Sequence, residues 1–233
     1  DQCGSRGLGD VYKRQYHSWL YGENGPILSP GVVPEFVLPH VHAGANTVLL
    51  IIDALRLDQW LILEPILRNY FKISRDYYFS IIPTATPYSR NAIFAGMFPS
   101  EIEKKIPELW DDEREEDDVS RNRFELEMLE AQLQRLNIEL KPGPKYAKVL
   151  NVQESVEVAR KINEYGSVPL SAIVFNFVDI LAHSRSSSKV IKEMIPNEAA
   201  FRSVTRAWFE HSHLYAALRK LAANGNTVIV TTD

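Results

Sequence analysis

Cysteine is nearly missing from this chain: Cys3 stands alone among 233 residues. A disulfide within the chain is excluded, and so is a zinc site built on thiolates. Any metal must be held by aspartate, glutamate or histidine. So little cysteine fits a cytoplasmic protein. Long apolar runs are missing too. A membrane helix needs ~18 apolar residues, and the longest run here, Thr47–Ile52, has strand length. The first residues carry no secretory pattern. Nor is there an excess of positive charge. The net charge is −4, and residues 111–118 (DDEREEDD) hold seven acids against one arginine. Without that run the remainder is +2. Such a body offers no basic stripe of the kind nucleic-acid binding uses. A nucleic-acid substrate stays open, because metal ions can supply the positive charge.

What remains is ordinary globular composition, with 45% hydrophobic and 24% charged residues. Residues 1–15 contain SRGLGDVYKRQ, which resembles a sequencing adapter read through as coding sequence. They show no apolar periodicity, so they are expected to lie outside the fold, and the natural protein is expected to continue upstream. In residues 16–46, Pro26, Pro30, Pro34 and Pro39 interrupt regular structure. This stretch reads as a linker that packs on the next domain through Trp19, Leu20, Phe36 and Val37.

From residue 47 onward, β and α signals alternate. Strands are predicted at Thr47–Ile52, Tyr77–Ile82, Tyr146–Leu150, Leu170–Val178 and Asn226–Thr232. Helices are predicted at Leu55–Leu63, with Pro65 ending or kinking it, and at Pro87–Gly96. Further helices are predicted at Ser120–Leu136, Gln153–Tyr165 and Asn197–Ala223. In Ser120–Leu136, Leu126, Leu129, Leu133 and Leu136 form the apolar stripe. This order implies a mostly parallel sheet covered on both faces, a three-layer α/β/α sandwich. Ligands bind such sheets at the carboxyl ends of strands.

Three acids fall at those ends. Asp53 follows VLLII, Asp179 follows IVFNFV with His183 four residues on, and Asp233 follows VIVTT. Any one of them could simply cap a helix. Three together would bring carboxylates to one edge of the sheet, which suits a metal site. Asp179 and His183 share a helical face at i and i+4. Their oxygen and nitrogen suit zinc or manganese better than magnesium. In PTATPYSRN, Thr86 before Pro87 reads as an N-cap with proline at the first helical position. A hydroxyl there sits where the helix dipole favours an anion, and could attack phosphorus beside a divalent cation.

Taken together, these segments resemble the alkaline phosphatase superfamily. The ordered features are Asp53 after the first strand, P-T-x-T with a trailing G-x-x-P, D-x-x-x-H, and a strand ending T-x-D. The wording IIDALRLDQW, PTATPYSRNAIFAGMFP and NFVDILAHS is similar to a PglZ domain, and specifically to the output domain of PorX-type response regulators. The likeness spans residues 16–233, with 47–233 as the domain. It implies an alkaline-phosphatase-like fold and two divalent ions, zinc or manganese. It gives Thr86 the role of nucleophile and metal ligand, with Asp53 and Asp233 beside it, and Asp179 and His183 on the other ion. The superfamily places a histidine directly after the last aspartate and another later, so residues 1–233 are expected to be an inactive fragment. The resemblance further implies a phosphate-ester or nucleotide substrate, an upstream receiver domain and signalling partners. The rival reading is a scaffold module with a structural metal site.

Other candidates are weaker. Arg56 and Arg90 flank the proposed site; each could hold a phosphate or form structural ion pairs. His40 and His42 would share a face if extended. His211 and His213 on a helix would not. Trp208, Leu214 and Leu218 read as core. The acidic run reads as a solvated loop, with partner docking as the alternative.

Overall fold

The structure, a computed structural model, describes residues 14–20, 25–110 and 122–233. Residues 1–13 of the adapter-like stretch and the acidic run 111–118 lie outside the described residues. Four parallel strands form one sheet: β1 (Thr47–Ile52), β2 (Lys145–Val149), β3 (Leu170–Phe175) and β4 (Thr227–Thr231), in spatial order β2-β3-β1-β4. β1 and β3 pair from Thr47 opposite Leu170 to Ile52 opposite Phe175, and every residue of both is buried. A strand covered on both faces must be apolar at every position, which is why TVLLII and LSAIVF lack alternation.

Alternate side chains feed two separate cores. Leu49, Ile51, Leu170, Ala172 and Val174 point into one; Val48, Leu50, Ile52, Ile173 and Phe175 point into the other. Residues 14–20 are helical, and the helices that follow are, in chain order, α1 (Leu38–His42), α2 (Leu57–Leu67), α3 (Thr86–Ala95), α4 (Pro99–Lys105), α5 (Glu125–Arg135), α6 (Val152–Arg160) and α7 (Ile162–Gly166). They continue with α8 (Phe177–Ser187), α9 (Lys189–Met194), α10 (Glu198–His211) and α11 (His213–Ala223). The first core is closed by α3 and α5 through Ile93, Phe94, Met128, Leu129 and Leu133. The second is closed by α2, α6, α10 and α11 through Leu63, Val158, Phe209, Leu214 and Leu218. The architecture is a three-layer α/β/α sandwich.

Several predicted elements differ in detail. Tyr77–Ile82 forms no strand: Phe79 makes an isolated bridge to Leu28, and Tyr77, Phe79 and Ile82 are exposed. Their β propensity lacks a neighbouring strand to pair with, and pairing is what realises such propensity. Pro65 neither ends nor breaks α2, which runs to Leu67. The helix expected from Ser120 begins at Glu125 (residues 120–121 lie outside the described set), and its buried stripe is Glu125, Met128, Leu129, Gln132 and Leu133. Leu126 is half-buried and Leu136 exposed. The expected helix Gln153–Tyr165 is two helices, α6 and α7. The expected Asn197–Ala223 helix also breaks in two. Ser212 takes an extended backbone and its Oγ caps α11 by accepting from Tyr215 N at 3.1 Å. Asn197 is the cap of α10 instead of its first residue.

Before β1, Ser29–Gly31 and Val33–Val37 form short turns of 3₁₀ and π-helix, followed by α1. Val32, Val33, Val37 and Leu38 lie in the first core, and Phe36 packs against it. Trp19 and Leu20 pack around Leu28, Ile81 and Ala92. Among the described residues, no helix is long and apolar enough to cross a membrane.

Candidate functional site

β1 delivers Asp53 to the carboxyl edge of the sheet. Its N–H donates to Phe175 O at 2.9 Å, which extends the β1–β3 ladder one residue past the strand. The next residue, Ala54, turns left-handed at φ 56°. A non-glycine residue is uncommon there, and such strain gathers at functional sites. Asp53 is not a helix cap, because α2 starts four residues later. β4 runs beside β1 with Thr231 opposite Ile51, so Asp233 falls opposite Asp53. Asp233 Oδ1 accepts from Ala54 N at 3.4 Å. The side chains of both acids are nearly solvent-free.

Thr86 enters from α3. It is the first helical residue and Ala85 is the cap position, with no side-chain capping bond. The N-cap expected for Thr86 is therefore shifted by one residue. Its hydroxyl is used differently, donating to Asp53 Oδ1 at 3.3 Å. Pro87 has no N–H, and the N–H groups of Tyr88 and Ser89 turn back to Ala85 O at 2.9 and 3.0 Å. This helix end offers its dipole more than a ring of free donors. Thr84, two residues earlier, is exposed.

Arg90, one turn along α3 from Thr86, is 1% exposed. Its Nη1 donates to Asp53 Oδ2 at 2.6 Å and lies 3.6 Å from Asp233 Oδ2. Its Nε meets Glu125 Oε1 at 2.7 Å, as an ion pair off the hydrogen-bond line. Burial works against its charge, but Glu125, Asp233 and Asp53 outweigh that and raise its pKa above the usual range. Its guanidinium is thus engaged by carboxylates, the ion-pairing alternative of the two. Arg56 is likewise engaged: Nε and Nη2 donate to Asp58 at 2.9 and 2.6 Å, and Nη1 pairs with Glu198.

Asp179 lies in the first turn of α8, past Asn176, because β3 ends at Phe175 and not at Val178. His183 Nε2 stands 3.3 Å from Asp179 Oδ1, on the shared face that i and i+4 predict. Glu198 holds Arg185 of α8 at 2.7 Å and also Arg56, so the element carrying Asp179 and His183 is tied to the loop that follows Asp53. The other histidine pairs are exposed. His40 and His42 sit on α1, not in an extended segment, and His211 and His213 flank the Ser212 break.

Asp233 is pushed up to about 7, first by burial and then by the Asp53 carboxylate, against the pull of Arg90 and the Ala54 N–H. Lys148 is lowered, chiefly by burial. Tyr146 is raised by burial and by Glu125, to which its hydroxyl donates. Glu125 escaped the sequence reading, which set the apolar stripe of this helix at Leu126, Leu129, Leu133 and Leu136. The signal was present: Glu125, Met128, Leu129, Gln132 and Leu133 follow the i, i+3, i+4, i+7, i+8 spacing of a buried stripe.

The donors suit a divalent cation in one respect. Asp233 Oδ2 is buried and accepts no hydrogen bond, and a buried carboxylate oxygen needs a partner. It belongs to an all-oxygen group with Asp53 and Thr86, and hard cations prefer oxygen ligands. The Asp179–His183 pair adds a nitrogen, which suits zinc or manganese. Among the described residues, no three His, Cys, Asp or Glu side chains converge closely enough to hold one ion by themselves.

Residues 32–233 match the sequence model of a family described as the BREX system PglZ alkaline phosphatase-like domain. No curated protein matches the chain.

Proposed function

Because the chain belongs to the PglZ family of alkaline phosphatase-like domains, we propose that it is a metal-dependent phosphoryl-transfer hydrolase with Thr86 as nucleophile. The family gives a phosphoesterase-type fold and a phosphate-ester substrate class. The finer reading rests on one observation: the Thr86 hydroxyl, at the positive end of α3, donates to Asp53 Oδ1 at 3.3 Å. A nucleophile paired to a carboxylate base is the arrangement that activated hydroxyls require.

In this reading Asp53, Thr86 and Asp233 would hold one divalent ion, and Asp179 and His183 would contribute to a second, with zinc favoured and manganese the alternative. When bound, the ions would supply positive charge to the phosphoryl oxygens and favour ionisation of the hydroxyl. Thr86 Oγ1 attacks phosphorus and gives its proton to Asp53 Oδ1, the bond from phosphorus to the ester oxygen breaks, and that oxygen leaves as an oxyanion that takes a proton from water to become the free alcohol or nucleoside. The phospho-threonine is then hydrolysed by water to free phosphate or a phosphomonoester. Dry surroundings at Asp53 and Asp233 strengthen every charge interaction along this path. Arg56 and Arg90 are the candidates for holding the substrate phosphate, and to do so Arg56 would have to loosen its pairs with Asp58 and Glu198, and Arg90 its pairs with Asp53, Glu125 and Asp233. The substrates are phosphodiesters or nucleotides, oligonucleotides included. The activity serves as the cytoplasmic output of a two-component response regulator with an upstream receiver domain and a protein partner.

The experiment is to incubate the full-length protein with zinc or manganese and a nitrophenyl phosphodiester, quench in acid and map peptides by mass spectrometry. Product release is expected, with the phosphoryl group and its remaining ester on the peptide containing Thr86. Turnover with Thr86 never modified would remove the covalent mechanism. No turnover by metal-loaded protein, on this diester and on nucleotides, would favour the scaffold reading.

A further inference from the structure

Glu125 is the buried acid that the hydrolytic reading leaves unused. It is the first residue of α5 and is fully buried. Its carboxylate meets Arg90 Nε at 2.7 Å, accepts from the Tyr146 hydroxyl and lies 3.6 Å from Lys148 Nζ. Arg90 reaches from there to Asp53 Oδ2 at 2.6 Å, and the other oxygen of Asp53 takes the Thr86 hydroxyl. Four side chains thus form a line: Glu125, Arg90, Asp53, Thr86.

We propose that Glu125 is a positioning residue that clamps Arg90 so that its guanidinium engages only one oxygen of Asp53 and leaves the other to Thr86. The inference rests on the Thr86–Asp53 reading of the site and adds a residue that touches neither. Arginine carries five donors in a rigid fork, and its favoured contact with a carboxylate is bidentate. Unclamped, Arg90 would turn to cover both oxygens of Asp53, and Oδ1 would be lost to the hydroxyl. With the Glu125 charge gone, its cation would also bear fully on Asp53 and Asp233 and oppose a bound metal. Burying a carboxylate is costly unless it is well paired. Tyr146 and Lys148, both on β2, hold Glu125 through Oε2 while Arg90 meets Oε1, which makes it an anchor.

The test uses full-length protein carrying Glu125→Gln, which keeps shape and removes charge, and Glu125→Asp, which keeps charge and shortens reach. Glu125→Gln should lower kcat on a nitrophenyl phosphodiester by about 10–100-fold with KM nearly unchanged. Zinc affinity, read by competition with a chelating dye, should fall by a similar factor. Glu125→Asp should recover part of both. A folded Glu125→Gln protein with wild-type zinc affinity and kcat would overturn the proposal. Should that variant fail to fold, the thermal cycle of Glu125→Asp with Asp53→Asn decides, and additive shifts overturn the proposal equally. If the wild-type protein binds no zinc and hydrolyses nothing, the hydrolytic reading fails while the clamp remains testable. Thermal midpoints of Asp53→Asn, a folded Glu125 variant and their double mutant then decide: non-additive shifts support the clamp and additive shifts reject it.

Discussion

Replacing Thr86 by valine separates chemistry from folding. Valine keeps the branched shape and loses only the hydroxyl. That hydroxyl is half-buried and makes one hydrogen bond, to Asp53 Oδ1 at 3.3 Å, near the long end of the useful range. It caps nothing, and Asp53 keeps its 2.6 Å bond from Arg90. The stability loss should be about 1 kcal/mol, a shift of about 2–4 °C in Tm for a chain of this size. Against a usual domain stability of about 5–15 kcal/mol, the folded fraction is unaffected. The rate should nevertheless fall by roughly 10³ or more, because loss of a nucleophile removes the covalent route itself. Thr86→Ser should stay within about tenfold of wild type, since it restores the oxygen. Thr84→Val, at an exposed position, should behave as wild type. The assay is nitrophenyl phosphodiester hydrolysis by full-length protein with zinc or manganese, with melting curves alongside. Thr86→Val at wild-type rate would refute the reasoning. A Tm drop large enough to unfold it at assay temperature would refute the structural part.

Asp233, raised to about 7, should make the metal-free protein less stable as pH rises. Between the ordinary aspartate range and pH 7 the folded state holds a proton that the unfolded state has released. Stability should therefore fall by up to about 1.4 kcal/mol per pH unit, and Asp233→Asn should flatten a urea-unfolding series from pH 4 to 8 if burial is the cause. His183→Ala should lower bound metal per chain by elemental analysis while leaving Tm within ~2 °C, because the exposed His183 adds little stability through its pair with Asp179; full metal content would remove His183 from the site. Gly96→Ala should destabilise by about 2 kcal/mol or more in chemical denaturation. Gly96 is left-handed at φ 60°, and an added Cβ would lie 1.9 Å from the Gln132 side-chain amide; a neutral result would mean that the Gln132 side chain can turn away.

Local pattern determined the layers of this protein. TVLLII and LSAIVF read as strands buried on both faces because a central parallel strand tolerates no polar side, and Asp53 at the end of the first could be placed at the sheet edge from its position alone. The i, i+4 spacing of Asp179 and His183 set their contact without any help from the rest of the fold. Partners distant in sequence were another matter. Tyr77–Ile82 has the composition of a strand, yet pairing needs a neighbour that local propensity does not supply. The long helix from Asn197 broke because the Ser212 hydroxyl competes for backbone groups at a point where the periodicity continues unbroken. Only tertiary packing decided that Asp233 stands opposite Asp53, that the Thr86 hydroxyl faces a carboxylate instead of capping its helix, and that Glu125 is buried against Arg90. A charge's surroundings are set by the elements that close over it, and helices α3 and α5 meet only when the sheet brings them together.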